Sequence, residues 1–151
     1  MHRDPNLVRL SRDHHTGLVL AKRARELPGA DPLIREQHWT EIQSRFADEL
    51  EPHFQLEEQG LLPALSAAGE EALVERTLAE HAQLRALIGR EDRDAPARFS
   101  EALTAHIRFE EATLFETAQQ VLDAQTLAEL GALHEQAARP ACPISSPRPP
   151  G

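Results

Sequence analysis

The segment His53-Phe-Gln-Leu-Glu57-Glu58-Gln-Gly-Leu-Leu-Pro63 aligns without gaps on His106-Ile-Arg-Phe-Glu110-Glu111-Ala-Thr-Leu-Phe-Glu116; the histidine, both glutamates and one leucine coincide. Residues four apart on a helix stack on one face, so each copy sets one imidazole beside one carboxylate. Both pairs continue an apolar stripe at helical spacing: Ile42, Phe46, Leu50, His53, Glu57 in one copy and Phe99, Leu103, His106, Glu110, Thr113 in the other. A carboxylate turned into a core without a partner costs several kcal/mol or gives up its charge. The chain must therefore fold so that these two faces meet around something that satisfies them.

The punctuation divides the rest into helical blocks. Ser11 can cap a first helix over about residues 11 to 27, which "LPGADP" stops before starting the next with Asp31-Pro32 as cap and first-turn proline. The second helix should run from 32 to 59, with Pro52 in its interior leaving the carbonyl of Asp48 without its usual partner and kinking the helix just before His53. After Gly60 the spacing predicts a connector with a short helical turn. A third helix then ends at Gly89, and a fourth starts near Pro96 and reaches about 122. Asp123 can cap a short fifth helix. No segment alternates with period two over a useful length, so the fold class is all-α.

The first and third helices carry histidines on their stripes too: Leu7, Leu10, His14, Leu18, Ala21 and Val74, Leu78, His81, Leu84 or Arg85, Ile88. His14 and His15 point about 100° apart, so only one faces inward, and the stripe favours His14. An acidic residue directly precedes the histidine on each of these helices ("RDHH", "LAEH"). A lone His-x-x-x-Glu is often an exposed helix pair worth about 0.2–0.5 kcal/mol. The combination is different: His14, His53, Glu57, His81, His106 and Glu110 together offer four imidazoles and two carboxylates, a donor set suited to two divalent first-row metal ions with the carboxylates bridging. Glu58 and Glu111 read as carboxylates turned aside from that centre, solvated or supporting it.

With these motifs in this order, the sequence resembles the hemerythrin family, in its bacterial HHE cation-binding form, over residues 7 to 122. The resemblance implies an up-down-up-down four-helix bundle and a non-haem di-iron centre bridged by Glu57 and Glu110. In true hemerythrins the fourth-helix carboxylate lies one position later, which keeps Glu111 as the alternative bridge. Oxygen-carrying members also have a second histidine one turn before the third-helix ligand, and Thr77 stands there. Four histidines in place of five imply that one metal is the more loosely ligated, which favours reaction or exchange over stable oxygen carriage.

Composition narrows the field around this reading. The length of 151 residues suits one domain, placed at residues 1–138, and the five prolines of the last 13 residues predict a disordered tail over 139–151. A formal charge of −9 is the wrong sign for holding phosphate backbones, so nucleic acid is not an expected partner. No apolar run is long enough for a membrane span, the start of the chain lacks a signal-peptide core, and Cys142 is the only cysteine; these point to the cytoplasm. The expected role is a di-iron protein that binds or senses O₂, nitric oxide, peroxide or iron, with manganese or zinc suiting the same donors. The alternatives are a di-iron oxidase or peroxidase, an iron-donating repair enzyme, and a metal-free helical interaction module.

Overall fold

The computed structural model describes residues 2–138, so the proline-rich tail and Cys142 lie outside the described residues. Among the described residues every regular element is helical. The chain forms α1 (Val8–Glu26), a second run made of α2 (Pro32–Arg45), α3 (Glu51–Leu56) and α4 (Leu62–Ala67), then α5 (Glu71–Ile88), a fourth run made of α6 (Ala95–Phe109) and α7 (Phe115–Val121), and α8 (Ala124–Ala138). The pieces of the second and fourth runs are joined by wide π-helical turns at Phe46–Leu50, Glu57–Leu61 and Glu110–Leu114.

Several boundaries differ from the sequence expectation, each for a physical reason. Ser11 does not cap α1; it lies within the helix and its hydroxyl donates to Glu111 at 2.6 Å, while the chain enters the helix through a turn in which Asp4 accepts from the Asn6 N–H. Pro52 stands in the interior of the second run as expected, but it follows a π-turn and not a plain α-helical stretch. The preceding π-turn inserts an extra residue, so that the N–H of Glu51 reaches back to the carbonyl of Phe46. Gly60 does not stop the second run either: it lies inside a π-turn, and a Cβ there would meet the tips of Leu130 and Leu133 at 2.9 and 2.7 Å. It is a packing glycine that lets α8 approach. The run ends instead at Gly69, whose φ of +92° is a conformation that L side chains rarely adopt. Asp31 and Asp123 cap as expected, accepting from Leu33 and Thr126.

The buried apolar residues form two clusters. One contains Leu20, Ala24, Ile42, Phe46, Phe54, Leu84, Phe99 and Leu103; the other contains Leu7, Leu10, Leu61, Leu65, Val74, Leu114, Phe115 and Leu130. Going up the chain, α1 passes from the second cluster to the first, the second run from the first to the second, α5 from the second to the first, and the fourth run back again. In all four, the inward-facing histidine falls near the crossing.

Three positions expected on the inner stripes are exposed. Leu18 is 45% exposed because α1 uses Leu10, His14, Gly17, Ala21 and Ala24, and the small residues bring it close to α6, with Ile107 packed onto Gly17. Leu78 is 43% exposed, and its inward place is taken by Thr77. Thr113 is exposed because the π-turn widens the helix there and puts Leu114 below Glu110. No described helix is long and apolar enough to cross a membrane.

Candidate metal centre

Between the two apolar clusters the structure brings together His14, His53, Glu57, His81, His106 and Glu110, all of them buried and Glu57 and Glu110 completely so. They fall into two groups of four that share both carboxylates: His14, His53, Glu57, Glu110 and Glu57, His81, His106, Glu110. Within each group, donor atoms lie within 4.8 Å of one another. The carboxylate oxygens are divided between the groups. Glu110 Oε1 faces His14 Nε2 at 2.8 Å and His53 Nε2 at 3.8 Å, while its Oε2 faces His106 Nε2 at 3.0 Å and His81 Nε2 at 3.7 Å. Glu57 Oε2 lies 3.1 Å from His53 Nε2 and its Oε1 3.0 Å from His81 Nε2. Each carboxylate thus offers one oxygen to each pair of imidazoles.

Most of these atoms are close without being hydrogen-bonded. Nε2 of His53, His81 and His106, both oxygens of Glu57 and Oε2 of Glu110 are buried with no hydrogen-bond partner. Separations near 3 Å without hydrogen-bond angles suit donors arranged around a shared cation, since ligands about 2.1 Å from one ion at right angles lie about 3 Å apart. The donors present therefore fit a pair of metal ions.

The outer nitrogens are tied down by a second set of acids. His14 Nδ1 pairs with Glu111 at 2.7 Å, His53 Nδ1 with Asp13 at 3.1 Å, His81 Nδ1 with Glu58 at 2.7 Å and His106 Nδ1 with Glu80 at 2.7 Å. Carboxylates accept, so each Nδ1 donates and Nε2 is left to face the centre. Every acid comes from the helical run before its histidine in a closed cycle: the first run supports the second, the second the third, the third the fourth, and the fourth the first. Glu58 and Glu111 are therefore supports at hydrogen-bond distance from histidines, and Glu111 does not stand among the grouped donors. Asp13 and Glu80 hold the same role, which sequence reasoning missed. Their signal was present in the acidic residue directly before His14 and His81.

Charge follows this arrangement. Burial alone would lower the histidine pKa values, but the surrounding carboxylates outweigh it. His81 is pushed up to about 9 and His106 to about 10, and His53 lies well above its ordinary value. Burial pushes Glu110 up, yet His106 and the other imidazoles hold it well below the ordinary carboxylate range. Glu111 is likewise held down at about 2, against its partial burial, by His14, Ser11 and Arg3.

The family profile described as the hemerythrin HHE cation binding domain matches residues 6–118. The chain belongs to this family. Comparison with curated proteins and with solved structures gave no match. In this HHE domain the two groups are equal in donors, each with two imidazoles, so the absence of a fifth histidine does not make one poorer than the other. Thr77 is buried, and its hydroxyl donates to the Leu73 carbonyl at 2.8 Å, a bond within its own helix. His15 is exposed, while His134 is buried on α8 and donates through Nδ1 to the Asn6 carbonyl at 3.1 Å, tying the last helix to the start of the chain.

Proposed function

We propose that this HHE domain is an up-down-up-down four-helix bundle holding a non-haem di-iron centre, and that the centre binds or senses O₂ or a related small ligand such as nitric oxide or peroxide. His14 and His53 would hold one ion, His81 and His106 the other, and Glu57 and Glu110 both. The reading rests chiefly on one observation: each of the two fully buried carboxylates turns one oxygen toward each imidazole pair. Iron in such a site would supply electrons and open coordination positions to the small ligand. Manganese and zinc suit the same donors. The metal-free interaction module is disfavoured by the six buried polar atoms of these residues that make no hydrogen bond within the protein.

The chain's own residues would then do three things. The four outer carboxylates hold the Nδ1 protons and so fix each ring with Nε2 inward. Phe54 stacks on His81 at 4.0 Å between ring centres and Phe115 on His14 at 5.4 Å, which limits both water and ring rotation. The clusters on either side keep the centre dry. The cytoplasm is the compartment we assign, on the single cysteine.

Anaerobic loading with ferrous iron followed by metal quantification tests the centre; two irons per chain are expected from its two donor groups. Exposure to O₂, nitric oxide and hydrogen peroxide under visible spectroscopy then separates the roles. A reversible oxygenated spectrum supports binding, and repeated turnover of peroxide or a co-substrate supports an oxidase or peroxidase. Uptake of no metal by the folded chain would overturn the proposal.

A further inference from the structure

The four corners of the centre are built alike, and one of them is looser. Each outer carboxylate is itself held by an arginine, so every corner is a chain of imidazole, carboxylate and guanidinium. Three corners are tight: Glu111 with Arg3, Glu58 with Arg85 and Glu80 with Arg76, all at 2.9 Å, each acid lying 2.7 Å from its histidine. Arg3, Arg85 and the otherwise exposed Arg76 also lie over the rings of Phe115, Phe54 and Phe109. At the fourth corner Asp13 lies 3.1 Å from His53 and 3.3 Å from Arg9, the longest distances of either kind.

That corner also opens on space. A cavity of about 570 Å³ is lined by Arg9, Asp13, Thr16, Asp48, Glu49 and His53 among others, and His53 is the member of the six central residues that forms part of its wall. Asp48 and Glu49 lie in the Phe46–Leu50 π-turn, the one π-turn that does not start at a central glutamate. The lining carries three carboxylates, Asp13, Asp48 and Glu49, to the one guanidinium of Arg9, with Glu49 itself paired to the neighbouring Arg45 at 3.0 Å. Such a surface concentrates a hydrated cation and is ill suited to an apolar diatomic molecule, which partitions toward hydrocarbon.

We propose that the Arg9–Asp13–His53 corner is the port through which a divalent cation enters and leaves the centre from this cavity. Opening requires the half-buried Arg9 to release Asp13, after which Asp13 can receive the ion beside His53. The inference rests on the metal-binding reading above and adds the route to it. A port changes the rates of entry and exit together and leaves the equilibrium occupancy unchanged, whereas damage to the centre lowers occupancy.

The test mixes metal-free protein with Co(II) and follows uptake by visible absorption, then follows release into excess EDTA, for the wild type, Arg9→Ala, Arg76→Ala and Thr16→Trp. Arg9→Ala should speed both steps about threefold, the factor expected when one partly exposed ion pair no longer has to open. Final Co(II) content should stay the same. Arg76→Ala, which makes the equivalent cut at a closed corner, should leave both rates unchanged, and Thr16→Trp should slow both by filling the cavity. If Thr16→Trp fails to fold by circular dichroism, Gln59→Trp on the other wall takes its place. Equal acceleration by Arg9→Ala and Arg76→Ala, or unchanged rates in Arg9→Ala or in the folded tryptophan variant, would overturn the port. A wild type that takes up no Co(II) or ferrous iron would instead overturn the metal centre itself.

Discussion

The two HxxxEE segments are alike on the inside and different on the outside. Inside, each places a histidine and the first glutamate at the centre, and in each the first glutamate opens a π-turn whose closing N–H, from Leu62 or Phe115, returns to that glutamate's carbonyl. Outside, position 60 is a glycine pressed by α8 while its counterpart Thr113 is exposed. The residue before His53 is the cavity-lining Pro52, and that before His106 is Ala105. The comparison teaches that the centre constrains the inward positions equally in both copies and leaves the outward ones free to serve a neighbouring helix or an opening to solvent.

Removing the shared inner part should have the largest effect. Glu57→Ala and Glu110→Ala should each abolish binding of both metal ions, because each carboxylate serves both groups; metal quantification after ferrous loading checks this, and retention of one full ion in either variant would break the equivalence of the copies. Next, His53→Ala and His106→Ala should each weaken one ion far more than the other, and on opposite sides. Chelation of the loaded wild type should lower its melting temperature, by an amount equivalent to about 4 kcal/mol for each ion whose free concentration had stood at 1,000 times its dissociation constant.

The pH response of the metal-free chain probes the centre that the copies share with α1 and α5. The folded pKa values of His81 and His106 are raised to about 9 and about 10 from an unfolded value of 6.5. Their contribution is thus fully present below pH 6.5 and is lost as pH rises through 9 and 10. Urea midpoints should fall from pH 6 to pH 10 without metal. Apparent metal affinity should rise over the same range, since binding displaces those protons.

The outer difference should give the smallest effects. Gly60→Ala places a methyl against Leu130 and Leu133 and should cost about 1–3 kcal/mol by urea denaturation. Thr113→Ala, at the matching position of the other copy, should stay within about 0.5 kcal/mol. Equal costs would mean that α8 does not distinguish the copies.

The inward residues were readable because helical spacing fixes which side chains share a face. Periodicity along one helix does not fix the rotation of its neighbours, so the histidine that Asp13 or Glu80 would serve could not be read. The pattern has a simple geometric origin, visible only once direction is known. In the runs that pass from the second cluster to the first, the supporting acid comes one residue before the inward histidine; in the opposite runs it comes one residue after the inward glutamate. With the runs alternating in direction as proposed, both offsets would turn the acid the same way around the centre. The π-turns were hidden for another reason. They add one residue to a turn with no compositional mark, which is why Thr113 was placed inward and Leu114 was overlooked.

Those turns have a consequence for local opening. Glu57 and Glu110, the proposed bridging carboxylates, each close a weak, five-residue turn through the backbone carbonyl, so ion release and turn opening would share a residue. The amide protons of Leu62 and Phe115 should therefore exchange with deuterated solvent slowly in the loaded protein and faster in the empty one, making two backbone positions reporters of occupancy.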